Sequence, residues 1–469
     1  MPPEPRSNPA KVLIMPTDPG TASKPVDNTT KPRIIHRSNH SISKKDIDRE
    51  ALKVLYRLRD TGHSAYLVGG GVRDLYLGKT PKDFDISTDA RPGQLRKIFK
   101  NSRLIGRRFR LVQVFFQGAK IVEVSTFRCR SEFDLNGTNS SPKENVLAAN
   151  NTYGSPSDDA FRRDLTINSL FYEIENNTII DYTGGVNDLE QGIIRLIGEP
   201  EKRVKRDPAR MMRVIRHAAR NDFSIEPRTW QSIIDHREML KHCPISRIRD
   251  ELMKDLHSSA CRHWSQLAMD SGLFYVLFPF YQAVHNTPGK TQNRDLFLAI
   301  QGVVDRLHSK GMHLPDQLLF SLLLLPWAIA EYNLTDKSYK GPEFHRFLKI
   351  IRPRLDEILG PMSIKRAHKE NIALHLVTLP QFIRFDRENS WPKWLKRKSY
   401  YQECDLFFRI YSEASTGKKT PERIVAKSAE QLRSQNKHKA SRKHRYKKKK
   451  SPGPAFGGKR DGGIFGLKK

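Results

Sequence analysis

The sequence predicts an α+β protein in which an N-terminal head built on a mixed β-sheet is followed by an all-helical body and a disordered basic tail. Short β-rich runs alternate with helical patterns up to about residue 184. From residue 185 to residue 415, apolar residues recur with the spacing of helices and strand patterns are absent. Beyond residue 416 the chain is polar and rich in lysine.

These changes divide the chain into five segments. A leader over 1–40 is rich in Pro, Ser, Thr and Asn without hydrophobic periodicity, which is typical of disorder. Ser43-x-x-Asp46 resembles a capping box and marks the predicted start of ordered structure. The other segments are the head (41–184), a helical neck (185–250), the helical body (251–415) and the tail (416–469).

The chain carries a large excess of positive charge. Its 83 Lys and Arg residues against 51 Asp and Glu residues give a formal net charge of +32. Such an excess is typical of proteins that bind polyanions such as nucleic acids, although a merely soluble basic protein would also show it. Between Lys437 and Lys450, nine residues are basic and none is acidic. We expect this run to contact phosphates without sequence preference; the alternative is a solvated tail.

Cysteine usage and hydropathy argue against zinc sites, disulfide frameworks and membrane segments. The four cysteines are far apart and form no Cys-x-x-Cys pair. They are Cys129, Cys243, Cys261 and Cys404. The longest apolar run, over residues 318–330, is shorter than the ~20 residues that span a membrane, and the N-terminus is too poor in apolar residues for a signal peptide. We therefore predict a cytoplasmic protein without a membrane segment.

Three consecutive glycines follow the first predicted strand of the head. The strand is Ala65–Val68, and Gly69, Gly70 and Gly71 connect it to a predicted helix. Glycines between a strand and a helix let the backbone approach a phosphate closely. A purely steric role at the turn is an equally good explanation.

Two aspartates, Asp83 and Asp85, are separated by Phe84 in a second predicted strand. Alternate residues of a strand point to one face, so both carboxylates would lie side by side while Phe84 enters the core. Adjacent carboxylates repel each other unless a cation lies between them, and hard oxygen ligands suit Mg²⁺. Glu123, in a predicted strand over residues 121–124, is a candidate third carboxylate. The alternatives are two exposed loop aspartates and an exposed-face glutamate.

Two further groups of polar residues have the chemistry of a nucleotide site. Arg163 can neutralise triphosphate oxygens, Asp164 can position a hydroxyl group or assist the metal site, and Asn168 offers a donor and an acceptor. The alternative is a salt-bridged strand entrance. Asp207 and Arg210 lie three residues apart on a predicted helix, where they could read the edge of a base. Judged by themselves, these two residues are more simply an ion pair.

Together these motifs resemble the class II nucleotidyltransferases, the superfamily of bacterial poly(A) polymerases and tRNA CCA-adding enzymes. The resemblance extends from about His40 to about Phe223 and keeps the motifs in one order. The motifs are AYLVGGGVRDLYLG (65–78), PKDFDIST (81–88), IVEVSTFR (121–128), FRRDLTINSLFY (161–172), IDYTGGVNDLEQGIIRLIG (180–198) and RDPARMMRVIR (206–216).

The resemblance implies a role for each matching position. Asp83 and Asp85 match a pair that holds two Mg²⁺ ions, and Asp164 matches an acid that belongs to the catalytic set. The other matches concern the nucleotide: Gly69, Gly70 and Arg73 face its phosphates, and Asp207 and Arg210 read its base. The base-reading motif usually begins with Glu, whereas this chain has Arg206 there.

Other residues favour poly(A) polymerases within the superfamily. The stretch over residues 104–114 is similar to one that marks poly(A) polymerases, and the sequence from Ser41 and the basic tail are also similar. We therefore predict template-independent addition of AMP from ATP to RNA 3′ ends, with release of pyrophosphate. The alternatives are a tRNA CCA-adding enzyme and an RNA-binding or ribosome-associated protein without catalysis. The intact Asp83 and Asp85 argue against the latter.

The resemblance also implies the partners. The substrates would be the 3′ ends of mRNA, of decay intermediates and of tRNA precursors, in RNA polyadenylation and turnover. The neck would bind the nucleotide and RNA, and the tail would supply non-specific RNA affinity. Proteins of RNA decay are candidate partners, and no membrane is involved.

Overall fold

The computed structural model describes residues 31–106, 110–129, 153–285, 291–335, 339 and 341–419. They form two compact units. The first contains the described residues up to Arg306 together with Arg354–Lys365. The second contains Leu307–Pro353 and the described residues from Arg366. The predicted segment boundaries at residues 184 and 250 stay predictions.

The head contains a mixed sheet, as predicted, and this sheet has eight strands. The strand order is β1-β8-β7-β2-β3-β6-β5-β4, and all neighbours are antiparallel except β3 and β6, which are parallel. The strands are β1 Arg33–Ile35, β2 Ala65–Val68, β3 Asp85–Thr88, β4 Ser102–Ile105, β5 Leu111–Phe115, β6 Ile121–Thr126, β7 Phe171–Glu173 and β8 Thr178–Asp181.

The two faces of this sheet differ in polarity. Alternate residues of β5 and β6, such as Val112 and Val124, are fully buried, and helix α1 (Arg49–Asp60) packs against β2, β3 and β6. Asp48 caps α1 by accepting the backbone N–H groups of Glu50 and Ala51. The opposite face carries the intervening residues, and its central side chains are half-buried and polar: Gln113, Glu123 and Ser125. That second face carries the candidate site.

Two predictions about strands were wrong in part. The leader was predicted to be disordered up to residue 40, but Arg33–Ile35 forms edge strand β1 against β8, because Ile35 is apolar and buried there. The second predicted strand begins later than expected, at Asp85. Asp83 therefore precedes the strand, and Phe84 is half-buried instead of being a core residue.

Helices account for most of the remaining described residues. A parallel pair of short strands, β9 (Ile193–Ile194) and β10 (Ser224–Ile225), lies in the predicted helical neck. The other α-helices of the described residues are α2 Gly70–Tyr76, α3 Pro92–Ile98, α4 Pro156–Arg162, α5 Gly185–Gln191, α6 Pro200–Arg206, α7 Ala209–Asn221, α8 Pro227–His236, α9 Ile245–Leu256, α10 Cys261–Asp270, α11 Leu273–Leu277, α12 Tyr281–His285, α13 Thr291–Ser309, α14 Asp316–Tyr332, α15 Pro342–Leu359, α16 Arg366–Arg387, α17 Lys393–Lys396 and α18 Tyr401–Thr416.

The second unit has an apolar helical core. Helix α16 packs against both α14 and α18. Helix α14 is buried on all sides over residues 318–328, which is typical of a helix surrounded by protein. Its Ser321 donates to, or accepts from, Nδ1 of the buried His375 at 2.8 Å. Among the described helices, none is both long and apolar enough to cross a membrane.

A buried carboxylate holds the turn after β8. Asp181 is 3% exposed. Its Oδ1 accepts the backbone N–H groups of Thr183, Gly184 and Gly185 at 2.9–3.0 Å, and its Oδ2 accepts that of Val186 at 2.9 Å. The first N–H groups of a helix have no helical partner, so this carboxylate satisfies the start of α5.

We expect Asp181→Ala to lower the free energy of unfolding of the first unit by about 3 kcal/mol, because it leaves buried N–H groups without an acceptor. Urea unfolding followed by circular dichroism measures the change. Asp181→Asn keeps one carbonyl oxygen as an acceptor and should lose less. An alanine variant as stable as the parent protein would show that the turn does not depend on this carboxylate.

Candidate active site

The parallel pairing of β3 and β6 places two carboxylates side by side. Asp85 and Glu123 are partners in the register, so both side chains lie on the polar face. Desolvation by the surrounding protein and then the charge of Glu123 raise the pKa of Asp85, and Asp83 raises it further. Gln113 of β5 donates to Glu123 Oε1 at 2.8 Å and fixes its orientation. Glu123 therefore lies beside Asp85 on the polar face of the sheet, and its role as a third carboxylate stays a prediction.

Asp83 lies near these carboxylates, but the predicted strand does not position it. It is exposed and lies before the strand. Its backbone packs on the glycine turn: a Cβ added to Gly71 would lie 3.3 Å from the Asp83 carbonyl oxygen. The contact with α2, and not the pleat of β3, sets its position.

These carboxylates fit a cation that is completed by its substrate. In the part of the chain that the structure describes, no three His, Cys, Asp or Glu side chains form a ready-made metal cage. Mg²⁺ commonly takes one or two carboxylates, with substrate phosphates and water as the remaining ligands. Desolvation first, and then the neighbouring negative charges, raise the pKa of Asp85, and a bound cation would offset both effects.

The glycine turn brings the backbone against an arginine. Gly69 has φ +73° and ψ −139°, a conformation that side chains disfavour, and a Cβ there would lie 3.1 Å from Nη1 of Arg163. Gly69 and Gly70 both line the cavity described below. The steric and the phosphate-facing interpretations of the glycines are therefore compatible.

Arg163 links the turn, the sheet and α4. Its guanidinium donates to Asp159 at 3.0 Å, to Ser87 Oγ at 3.3 Å and to the carbonyl oxygen of Asn168 at 3.4 Å. It also lies over the ring of Phe171, 5.5 Å from the centroid. Its positive charge lowers the pKa of Asp85 and so opposes the effect of the neighbouring carboxylates.

Arg73 differs from the sequence prediction. It is 4% exposed and is not among the residues that line the cavity. Its guanidinium donates to Asp74 at 2.7 and 2.9 Å, to Asn168 Oδ1 at 2.7 Å and to His217 Nδ1 at 3.2 Å. Burial and then Arg73 lower the pKa of His217 well below its usual value, so the imidazole is neutral and can accept. Arg73 thus positions Asn168, which does line the cavity.

Asp164 is held by two arginines of α7. Arg210 Nε donates to it at 2.6 Å, and Arg213 forms a second, shorter contact. Burial would raise the pKa of Asp164, but Arg213 and Arg210 outweigh burial and lower the pKa to about 2. The carboxylate is therefore charged at neutral pH and fixed. Its oxygens are turned to the helix, not to Asp85.

The predicted ion pair between Asp207 and Arg210 is not formed. Asp207 accepts instead from Arg247 at 2.6 Å and from Arg213 at 3.5 Å. Asp207 ends α6 and precedes α7, so the two residues do not share one helix as predicted. Both line the same cavity as Asp164.

This cavity has a volume of about 820 Å³ and a strongly positive lining. Asp85 and Ser125 lie at its sheet side. Eight arginines line it, against four aspartates. The arginines are Arg128, Arg162, Arg163, Arg203, Arg206, Arg210, Arg213 and Arg247, and the aspartates are Asp85, Asp159, Asp164 and Asp207. Such a lining suits a polyphosphate beside a cation site.

Several residues of this lining were missed from the sequence. Arg203 is buried and donates to the carbonyl oxygens of Arg162 and Arg163, which fixes the turn before Asp164. Arg213 could have been found, because the arginines of α7 recur every three or four residues and so form one stripe. Arg247 comes from a separate helix, and no local pattern identifies it.

We expect Asp164→Asn to destabilise the first unit by about 2 kcal/mol at neutral pH, because the lowered pKa reflects its pairing with Arg210 and Arg213. This contribution is fully present above about pH 4 and is lost as the pH falls towards 2. The difference in unfolding free energy between the variant and the parent should therefore shrink in acid. Asp60→Asn, at an exposed position of α1, is the control. A pH-independent difference would contradict the assignment.

Two family models match parts of the chain. Residues 65–195 match the family model "Poly A polymerase head domain". Residues 222–284 match the model "Probable RNA and SrmB- binding site of polymerase A". The first match contains the glycine turn, strands β3 and β6, and Asp164.

Two relatives and one solved structure illustrate the similarity. The chain is 49% identical over 248 residues to poly(A) polymerase I of Salmonella typhi, a match that spans 52% of this chain and about half (53%) of that relative. It is 39% identical over 337 residues to poly(A) polymerase I of Escherichia coli O157:H7, covering 71% of this chain and 72% of the relative. The fold is similar to that of a Bacillus stearothermophilus CCA-adding enzyme in complex with CTP, with a TM-score of 0.59, 24% identity and 82% of each chain covered.

The Escherichia coli match is much longer than the head domain, and its identity is one that unrelated proteins do not reach over such a length. It confirms the resemblance that the ordered motifs predicted. The chain therefore belongs to the poly(A) polymerase I family of polynucleotide adenylyltransferases.

Proposed function

We propose that this chain adds AMP from ATP to the 3′ ends of RNA without a template and releases pyrophosphate. The observation that carries the proposal is the position of the Asp85 carboxylate at the sheet side of an arginine-lined cavity, with Glu123 as its register partner on the neighbouring strand. The arginine lining suits an anionic polyphosphate, and a metal ion held by the carboxylates would activate a hydroxyl nucleophile beside it. The 3′-hydroxyl of the RNA would be the nucleophile. Binding to the RNA phosphates would explain the net charge of +32.

In this mechanism the RNA 3′ oxygen forms a bond to the α-phosphorus of ATP. At the same time the bond from the α-phosphorus to the oxygen of the β-phosphate breaks, and pyrophosphate leaves. Two Mg²⁺ ions, when bound, would lower the pKa of the attacking hydroxyl and neutralise charge on the leaving pyrophosphate. Asp85 and Asp83 would hold them, with Glu123 as the third carboxylate. Arg163 and Arg128 would bind the phosphates and stabilise the charge that develops on them.

Selection of the base would depend on Asp207 and Arg210 at the far side of the cavity. Each is already fixed by a partner, Asp207 by Arg247 and Arg210 by Asp164. A fixed acceptor and a fixed donor can discriminate the edge of adenine from that of other bases. Arg206, in place of the usual glutamate, also lines the cavity.

The decisive assay supplies ATP, CTP, GTP or UTP separately, with Mg²⁺ and an unstructured RNA oligomer. Long ladders with ATP alone support poly(A) synthesis. A tRNA without its CCA end is tested in parallel, with each nucleotide alone and with ATP and CTP together. A stop after two C and one A, seen only on the tRNA, would instead assign a CCA-adding enzyme.

We expect Asp85→Ala and Asp83→Ala each to lower AMP incorporation by about a hundredfold or more, since stabilisation of charge by bound metal is worth several kcal/mol. RNA binding, measured by fluorescence anisotropy, should stay near the parent value. Asp89→Ala removes an exposed carboxylate beyond the other end of β3 and should retain activity. Substantial incorporation by Asp83→Ala would refute a metal role for that residue.

We expect truncation after Gln435 to weaken RNA binding and to flatten its salt dependence, by about 0.7 in the logarithmic slope for each RNA phosphate that the tail no longer neutralises. The basic run lies outside the described residues. Truncation after Lys450 is the control, because it retains the nine basic residues of the run. Equal salt slopes for the parent and both truncations would show that the tail does not contribute to RNA binding.

The physiological setting stays a prediction. RNA decay intermediates, mRNA and tRNA precursors are candidate substrates, and proteins of RNA decay are candidate partners. The family model that names an RNA-binding site matches residues 222–284. The cytoplasmic location also stays a prediction.

A further inference from the structure

A row of side chains continues across the sheet beyond the cavity. Asp85 on β3 is the register partner of Glu123 on β6, Glu123 that of Gln113 on β5, and Gln113 that of Arg103 on β4. Directly opposed residues of neighbouring strands lie on the same face, and the hydrogen bond from Gln113 to Glu123 agrees with this. With strands ~4.8 Å apart, Arg103 lies about 14 Å from Asp85 along the row.

The charge at the outer end of this row is available. Arg103 is exposed on edge strand β4, and within the described residues no carboxylate forms an ion pair with it. Gln113 separates it from Glu123, and because the Gln113 amide is engaged with Glu123, the two charges are not brought together. The row therefore begins with a carboxylate pair and ends with an available positive charge.

Apolar side chains flank the row on the same face. Ile121, opposite Phe115, lies two residues to one side, and Ile105, opposite Leu111, lies two residues to the other. Ile121 is 45% exposed and Ile105 is 37% exposed. Exposed apolar residues beside a charged group offer support for bases next to a contact for a phosphate.

The in-line geometry of the reaction indicates which substrate lies along this row. In phosphoryl transfer the attacking and leaving oxygens are roughly in line on opposite sides of the phosphorus. The arginine-lined cavity, which would take the pyrophosphate, reaches Asp85 and Ser125 but does not include Glu123, Gln113 or Arg103. The attacking 3′-hydroxyl must then come from the other side of Asp85, where the row lies.

We infer that the β6-β5-β4 part of the sheet is the binding site for the 3′-terminal nucleotides of the RNA acceptor. The terminal ribose lies at Asp85 and Glu123, the bases lie against the apolar flanks, and Arg103 binds one of the two phosphates nearest the 3′ end. This inference rests on the proposed function. It gives the head its own contact with RNA, separate from the segment over residues 222–284 and from the tail.

Steady-state kinetics with an RNA oligomer test the inference. Arg103→Ala should raise the KM for RNA about tenfold, the loss expected for one charge-assisted hydrogen bond, while the KM for ATP and kcat stay near parent values. Arg103→Glu should raise the KM for RNA further. Arg103→Lys keeps the positive charge and should have a KM for RNA close to the parent value. The control is Arg96→Ala, which removes an exposed arginine of α3 outside the row.

A neutral linkage in the RNA locates the contact. Single methylphosphonates are placed at the two linkages nearest the 3′ end or near the 5′ end. If Arg103 binds a 3′ phosphate, neutralising that linkage weakens RNA binding by the parent protein but not by Arg103→Ala. The effects of the neutral linkage and of the substitution are then not additive. The 5′ linkage should be additive with the variant. Binding without metal should lose about 0.7 of its logarithmic salt slope in Arg103→Ala.

The outcomes separate this inference from the proposed function. If the parent protein does not incorporate AMP, the proposed function fails. If the parent is active but Arg103→Ala has the parent KM for RNA, or its effect is additive with every neutral linkage, the binding site is wrong and the function stands. Because Arg103 is exposed, its variants should fold, and circular dichroism verifies this.

Discussion

Negative charge crowded on one face of the head sheet is the constraint on which the site depends. Asp85 and Asp164 line the same cavity, yet their environments shift their pKa values in opposite directions. The charge of Asp164 is balanced by two arginines of α7, which hold the carboxylate in place. Asp85 faces Glu123 instead, and Arg163 opposes the repulsion between them. The unbalanced pair is where a cation and a substrate can add stabilisation.

The arginines of the site serve two purposes, and their burial distinguishes them. Arg203 and Arg73 are buried and donate hydrogen bonds to carbonyl, amide and carboxylate acceptors of the protein. They make the turn around Arg163 and the position of Asn168 rigid. Arg163 and Arg128 remain at the surface of the cavity, where a polyphosphate can reach them. Rigid inner residues that support a reachable outer set produce a site that is organised before the substrate arrives.

The sequence predicts elements and motifs well where the pattern is local. The hairpin of β5 and β6, the glycine turn and the position of Asp85 on a strand follow from period, turn residues and charge. Contacts between distant segments leave no such pattern. The pairing of Asp85 with Glu123 depends on a parallel register that no local feature encodes. The same holds for Arg247, whose contact with Asp207 joins segments 40 residues apart in the chain.

The edge strand β1 has a consequence for synthesis of the chain on the ribosome. It belongs to the first described residues, but its partner β8 ends at Asp181, after every other strand of the sheet. The parallel contact between β3 and β6 likewise needs the intervening hairpin before it can close. Non-local pairing of this kind is slow, and unpaired edges invite association between chains. A nascent chain therefore exposes open strand edges until the whole head has emerged, and a ribosome that stalls earlier leaves a fragment prone to aggregation.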